Sequence, residues 1–109
     1  MAYDEELAER VRDVLAMREN VVERKMFGGL AVMLAGNMAC GVLAEDLIVR
    51  IGPQAYESAL AKPHARPFEF TGRPMKGFVV VGPEGVADDE ALAEWVESGA
   101  EFASSLPSK

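Results

Sequence analysis

KMFGGLAVMLAGNMACGVL, residues 25–43, is the stretch on which the fold reading turns. It holds four glycines, three methionines, one cysteine and a single charged residue. It reads either as a glycine loop that cradles a phosphate or as strands that need glycine to bend. A phosphate loop requires G-x-x-x-x-G-K-[ST], so that amides surround the anion and a lysine and a hydroxyl follow. Leu30, Ala31 and Val32 follow Gly28-Gly29, and no such lysine is present. A dinucleotide site needs G-x-G-x-x-G opening a helix. Here the glycines open a second apolar run instead. Gly28 and Gly29 are therefore read as a tight bend or bulge between two strands. Gly36-Asn37 then marks a hairpin, with glycine at the first central position of a type II′ turn.

Outward from this stretch the pattern stays short and regular. Asp4 to Met17 predicts a helix, with Leu7, Val11, Val14 and Leu15 on one stripe and acidic residues in the first turn. Glu6 and Arg10 are spaced as an i,i+4 pair. Val21 to Phe27 is a weakly signalled strand, interrupted by charges. Leu30 to Leu34, Met38 to Leu43 and Leu47 to Ile51 are stronger, with a turn at Glu45-Asp46. Gly52-Pro53 predicts the start of a short helix bearing Tyr56, Ala59 and Leu60, stopped by Pro63. In residues 64–77 the prolines argue against a long regular element, leaving Phe68 to Thr71 as a brief extended piece. Phe78 to Val81 reads as a buried strand, and Gly82-Pro83-Glu84-Gly85 as a turn. Asp88 is an N-cap for a last helix carrying Leu92, Trp95, Val96, Gly99, Phe102, Ala103 and Leu106, with Pro107 beyond it.

The predicted order is helix, three or four strands, helix, one or two strands, helix. Consecutive strands joined by tight turns form an antiparallel sheet, so the class is α+β, in one domain spanning residues 1–109.

Totals exclude several function classes. The net charge is -7, from 18 acidic and 11 basic residues. That disfavours generic DNA binding, which relies on many phosphate contacts. One cysteine permits no intrachain disulfide and suits a reducing compartment. The acidic N-terminus is unlike a signal peptide, and no apolar run approaches the ~20 residues of a membrane span. A cytoplasmic protein without a membrane partner is expected.

With one histidine and one cysteine there is no zinc spacing, and no calcium-loop pattern occurs, so no metal and no cofactor is expected. Cys40 lies in an apolar strand pattern, where a thiol acts as a small buried hydrophobe rather than a nucleophile for His64. Asp88-Asp89-Glu90 reads as helix-start charge. No catalytic residue is assigned. Arg66, Arg73 and Lys76 bracket Phe68 and Phe70, and Arg50 ends a neighbouring strand, an arrangement that suits either single-stranded nucleic acid or a structural loop with solvated cations. A small-ligand or enzyme pocket near Tyr56, His64 and residues 66–76 is a third reading.

In residues 30–43 both alternation faces are apolar, whereas a half-solvated antiparallel strand shows one polar face. The second face is therefore expected to be covered, by a helix or by another subunit. Methionine suits adaptable contacts, which points to a homodimer or partner surface beside ordinary core filling.

RKMFGGLAVMLAGNMACGVL, LIVRIGPQAYESALA and ARPFEFTGRPMKGFVVVGPEGV together resemble the N-terminal domain of the TfoX/Sxy family, over about Tyr3 to Leu106. Met-Phe-Gly-Gly-Leu and Phe-Thr-Gly-Arg-Pro-Met are the most specific segments. The resemblance implies a two-layer α+β domain similar to type III secretion chaperones. It also implies a regulator acting through protein contacts in transcription rather than through an enzyme site. Full-length regulators carry a second, helical domain, so a stand-alone member is expected. The family supplies no catalytic residues to carry over. Met26, Phe27, Gly28, Gly29, Arg73, Pro74 and Met75 match its pattern as fold determinants or contact residues.

Overall fold

The structure, a computed structural model, describes residues 3–26, 28–70 and 72–107. Phe27 and Thr71, read from sequence as strand ends, lie outside the described residues, as does the side chain of Phe70. The elements are α1 (Glu5–Val14), β1 (Val21–Met26), β2 (Gly29–Leu34), β3 (Asn37–Leu43), β4 (Asp46–Arg50), α2 (Tyr56–Leu60), β5 (Ala65–Phe70), β6 (Arg73–Val81) and α3 (Asp89–Ser104). A single 3-10 turn, Pro83–Val86, precedes α3. The six strands form one antiparallel sheet in the order β1-β2-β3-β4-β6-β5. The class is α+β, with helices against one face of the sheet.

Helix starts follow local chemistry. Asp4 caps α1 by accepting hydrogen bonds from the Glu6 and Leu7 amides at 2.9 and 3.3 Å. Asp88 does the same for α3 through the Ala91 amide at 3.1 Å. Each side-chain cap satisfies an amide with no partner inside the helix, worth about 1 kcal/mol.

The core separates along the alternation of the strands. Leu30, Val32, Cys40, Val42, Leu47, Val49, Val79 and Val81 face the helices and pack with Leu7, Val11, Leu92, Trp95 and Val96. Ala31, Met38, Ile48, Phe68 and Val80 form a second buried cluster, flanked by Met33, Leu43 and Phe78. Every member of that second cluster is a strand residue. Its cover within the chain comes from side chains such as Phe68 and Phe78, whose rings are 6.4 Å apart, and not from a helix. The helix that the sequence reading allowed over this face is absent among the described residues.

Four local expectations are corrected. Residues 64–77 form a hairpin of two full strands rather than a loop with a brief extended piece. Its prolines sit where a missing amide costs little. Pro67 is on β5, the outermost strand. Pro74 lies in the part of β6 that pairs only with β5, because β4 reaches no further than Phe78. Proline is tolerated on such open edges. A register shift opposite Pro67/Glu69 and a φ of 95° at Gly77 absorb the extra residues of β6.

The β2–β3 turn is centred on Ala35-Gly36, not Gly36-Asn37. Leu34 pairs with Asn37, and both central residues have positive φ, 50° and 88°. That is the type I′ pattern, whose twist matches the strands. Asn37 is instead buried in β3, where its Nδ2 donates to the Pro107 carbonyl at 2.9 Å. Pro53 lies in a turn, and α2 begins only at Tyr56. Arg10 turns away from Glu6. Its guanidinium donates to Asp89 Oδ1 at 2.9 Å and to the Val86 and Ala87 carbonyls at 2.8 and 3.3 Å. Three acceptors at the start of α3 outweigh one exposed carboxylate.

α3 crosses the sheet at Gly99. A Cβ there would collide with the carbonyl oxygen of Ala39 on β3. Helix propensity alone favours alanine over glycine by about 1 kcal/mol. The steric term opposes it, since overpacking costs typically about 1–3 kcal/mol. Gly99→Ala is expected to lower stability in urea unfolding, against the direction that propensity dictates.

Candidate functional site

β1 is the structural surprise of the surface. The sequence signals it weakly, since Glu23, Arg24 and Lys25 interrupt the apolar pattern. Yet all six of its residues pair with β2. Five of the six are exposed, and its other edge is open. Val21 faces the core. Glu23 also lies on the helix side. It accepts hydrogen bonds from Arg12 Nε and Nη2 of α1 at 2.6 and 2.9 Å, while Arg12 Nη1 reaches Glu9 at 2.7 Å. By alternation, Val22, Arg24 and Met26 lie on the opposite face, beside the strand-only cluster. Val22 pairs directly with Met33 of that cluster. Val22 and Met26 are 55% and 43% exposed, two of the few large apolar side chains left in solvent.

The cations assigned from sequence do not converge. Arg50 lies between two rings, 5.5 Å from the centroid of Phe78 and 5.4 Å from that of Phe102. Arg66 is held by Asp46 at 2.8 Å. Arg73 and Lys76 are exposed on the β5–β6 hairpin, and neither has a carboxylate partner among the described residues. Arg24 and Lys25 share that freedom, on the opposite edge of the sheet.

Gly28 lies in the β1–β2 connection with φ 82°, and open space surrounds the position of a Cβ. Gly29 is buried and already paired with Met26 at the start of β2.

A cleft of about 400 Å³ opens on the strand-only face, floored by Leu43, Ile48, Phe68 and Val80. Arg66, Asp46 and Glu69 form its polar rim. Tyr56 and His64 do not line it. Tyr56 packs on the helix-side core, and His64, at φ 69°, stands 3.7 Å from exposed Glu84.

Cys40 and His64 do not form a pair. Cys40 is fully buried in the helix-side core, and burial pushes its thiol up to about 12. Loss of solvation penalises the thiolate, the nucleophilic form. Among the described residues no group of three or more His, Cys, Asp or Glu is placed to hold a metal ion. No helix among them is long and apolar enough to cross a membrane.

The model of the TfoX N-terminal domain matches residues 13–103, and the chain belongs to that family. Neither the curated proteins nor the solved structures compared with it gave a match.

Two measurements test the site chemistry. Cys40 in the native protein should resist a thiol reagent at pH 8 and react fully once denaturant opens the core. The Arg12 hydrogen bond holds the Glu23 carboxyl below its ordinary value of 4.5. A depressed carboxylate stabilises the fold above that value, and the benefit is lost as pH falls through the folded value. Glu23→Gln should therefore destabilise at neutral pH by less than about 1 kcal/mol, because the pair is partly exposed. The gap from wild type should close in acid, as followed by thermal melts across pH.

Proposed function

We propose that the chain is a non-catalytic contact module, regulatory or adaptor in role, that works through protein–protein contacts and associates with itself. The observation that carries this is the one-sided sheet. Its helix-free face is apolar, is covered only by strand side chains, and continues onto a charged but pairable edge at β1. Val22 and Met26, exposed beside the buried strand-only cluster on an open edge strand, suit a partner better than solvent. Part of the proposal is a cytoplasmic setting, which accords with one buried cysteine and with regulation of transcription as the family resemblance implies.

The nucleic-acid reading has less support in the geometry. Of its four cations, Arg66 is neutralised by Asp46 and Arg50 is stacked between rings, which leaves Arg73 and Lys76 on a chain of net charge -7.

Light scattering across a range of protein concentrations is the test. A mass above that of one chain, rising with concentration, is expected. A strict monomer at the highest concentration reached would overturn self-association. In a filter-binding titration at low salt, retention of single-stranded nucleic acid that weakens with salt and with Arg73→Ala would favour the alternative.

A further inference from the structure

Of the two edges of the sheet, one is blunted and one is not. β5 carries Pro67, which lacks an amide. β1 carries no proline over six residues. In an antiparallel ladder, alternate residues direct both backbone groups to the same neighbour. Met26 and Gly29 close the β1–β2 hairpin, and the Ala35 amide donates to the Asn20 carbonyl at 3.0 Å. That phase turns the amides and carbonyls of Val22, Arg24 and Met26 toward β2. Val21, Glu23 and Lys25 present theirs outward.

Resting on the self-association proposed above, we infer that β1 pairs antiparallel with β1 of a second copy, about a two-fold axis at Arg24, joining two six-stranded sheets into one. A two-fold axis between antiparallel edge strands keeps each face of the sheet on its own side, so only registers that place some residue opposite itself are allowed. Centring on Glu23 would set Glu23 against Glu23 and Val22 against Arg24. Centring on Val22 would set Glu23 opposite Val21 and carry Arg24 and Lys25 past the start of the strand, opposite Asn20 and Glu19. Centring on Arg24 places Glu23 opposite Lys25 twice and Val22 opposite Met26 twice. Outward-facing Glu23 and Lys25 then exchange about four backbone hydrogen bonds. The apolar pairs extend the strand-only face across the junction, where Val22 already adjoins Met33. Opposite charges and apolar groups directly across a ladder stabilise it; the bonds from Arg12 to Glu23 weaken the charge term, and one like-charge Arg24 pair opposes it. The register thus turns the charges that interrupt β1 into a self-complementary code.

Cysteine cross-linking reads the register, because native Cys40 is buried. Residues opposite one another without backbone hydrogen bonds have Cα atoms about 4.5 Å apart, within disulfide reach. Under mild oxidation, Arg24→Cys should form a disulfide-linked dimer. Val22→Cys alone should not, but mixed with Met26→Cys it should. Lys25→Glu turns two attractive pairs repulsive and should raise the dimer Kd by about tenfold. Rapid cross-linking of Val22→Cys alone overturns the register. A protein dimeric by light scattering whose Arg24→Cys form does not cross-link also overturns it, while leaving self-association through another surface. A monomeric wild type overturns both.

Discussion

The close approach of α3 to the middle of the sheet is the constraint on which the rest of the structure depends. Gly99 leaves the helix backbone against the Ala39 carbonyl, with no room for a side chain between them. That contact sets the spacing at which Leu92, Trp95 and Val96 reach Cys40, Val42 and Val49. It also brings the start of α3 beside α1, where Arg10 ties the Val86 and Ala87 carbonyls to Asp89. Two helices and the strands beneath them thereby share one core.

A consequence is asymmetry. All three helices are committed to the same side, so the other face of an equally apolar sheet has only its own side chains for cover. Phe68 and Phe78 shield Ile48 and Val80 there, and a shallow cleft remains beside them. Burial on both faces is usual for strands as apolar as these, and helices usually supply it. Here strand side chains supply the second cover, and at β1 it gives out. Val22 and Met26 stand in solvent next to strand groups that the chain itself leaves free for pairing. The functional reading grows from that surface rather than from any cluster of reactive groups. The one cysteine is a core residue, and its thiol is held protonated by burial.

Much of this was legible in short-range patterns. Asp88 announced its helix because capping is a matter of residues two or three apart, whereas Asp4, read as first-turn charge, proves to be the cap of α1. The two-sided apolar character of residues 30–43 announced a sheet buried on both faces. Less visible were elements whose stability comes from neighbours. β5 and β6 contain Pro67 and Pro74, which read as breakers until strand order shows that each points its missing amide at an unpaired edge. β1 is half charged, and only pairing with β2 and the clasp of Arg12 on Glu23 make it a strand. The basic residues failed in the opposite sense. Arg50, Arg66, Arg73 and Lys76 look like one group along the chain, but Asp46 and two aromatic rings claim two of them.

By itself the sequence determined the class of the fold, the start of its last helix, its strand-rich centre and its family. Those depend on periodicity, capping and turn chemistry, which act over a few residues. Only the tertiary structure decided which face the helices cover, which edges stay open and which charges are already spoken for. These depend on strand order and register, and so on contacts between residues far apart in the chain, where local pattern carries no signal.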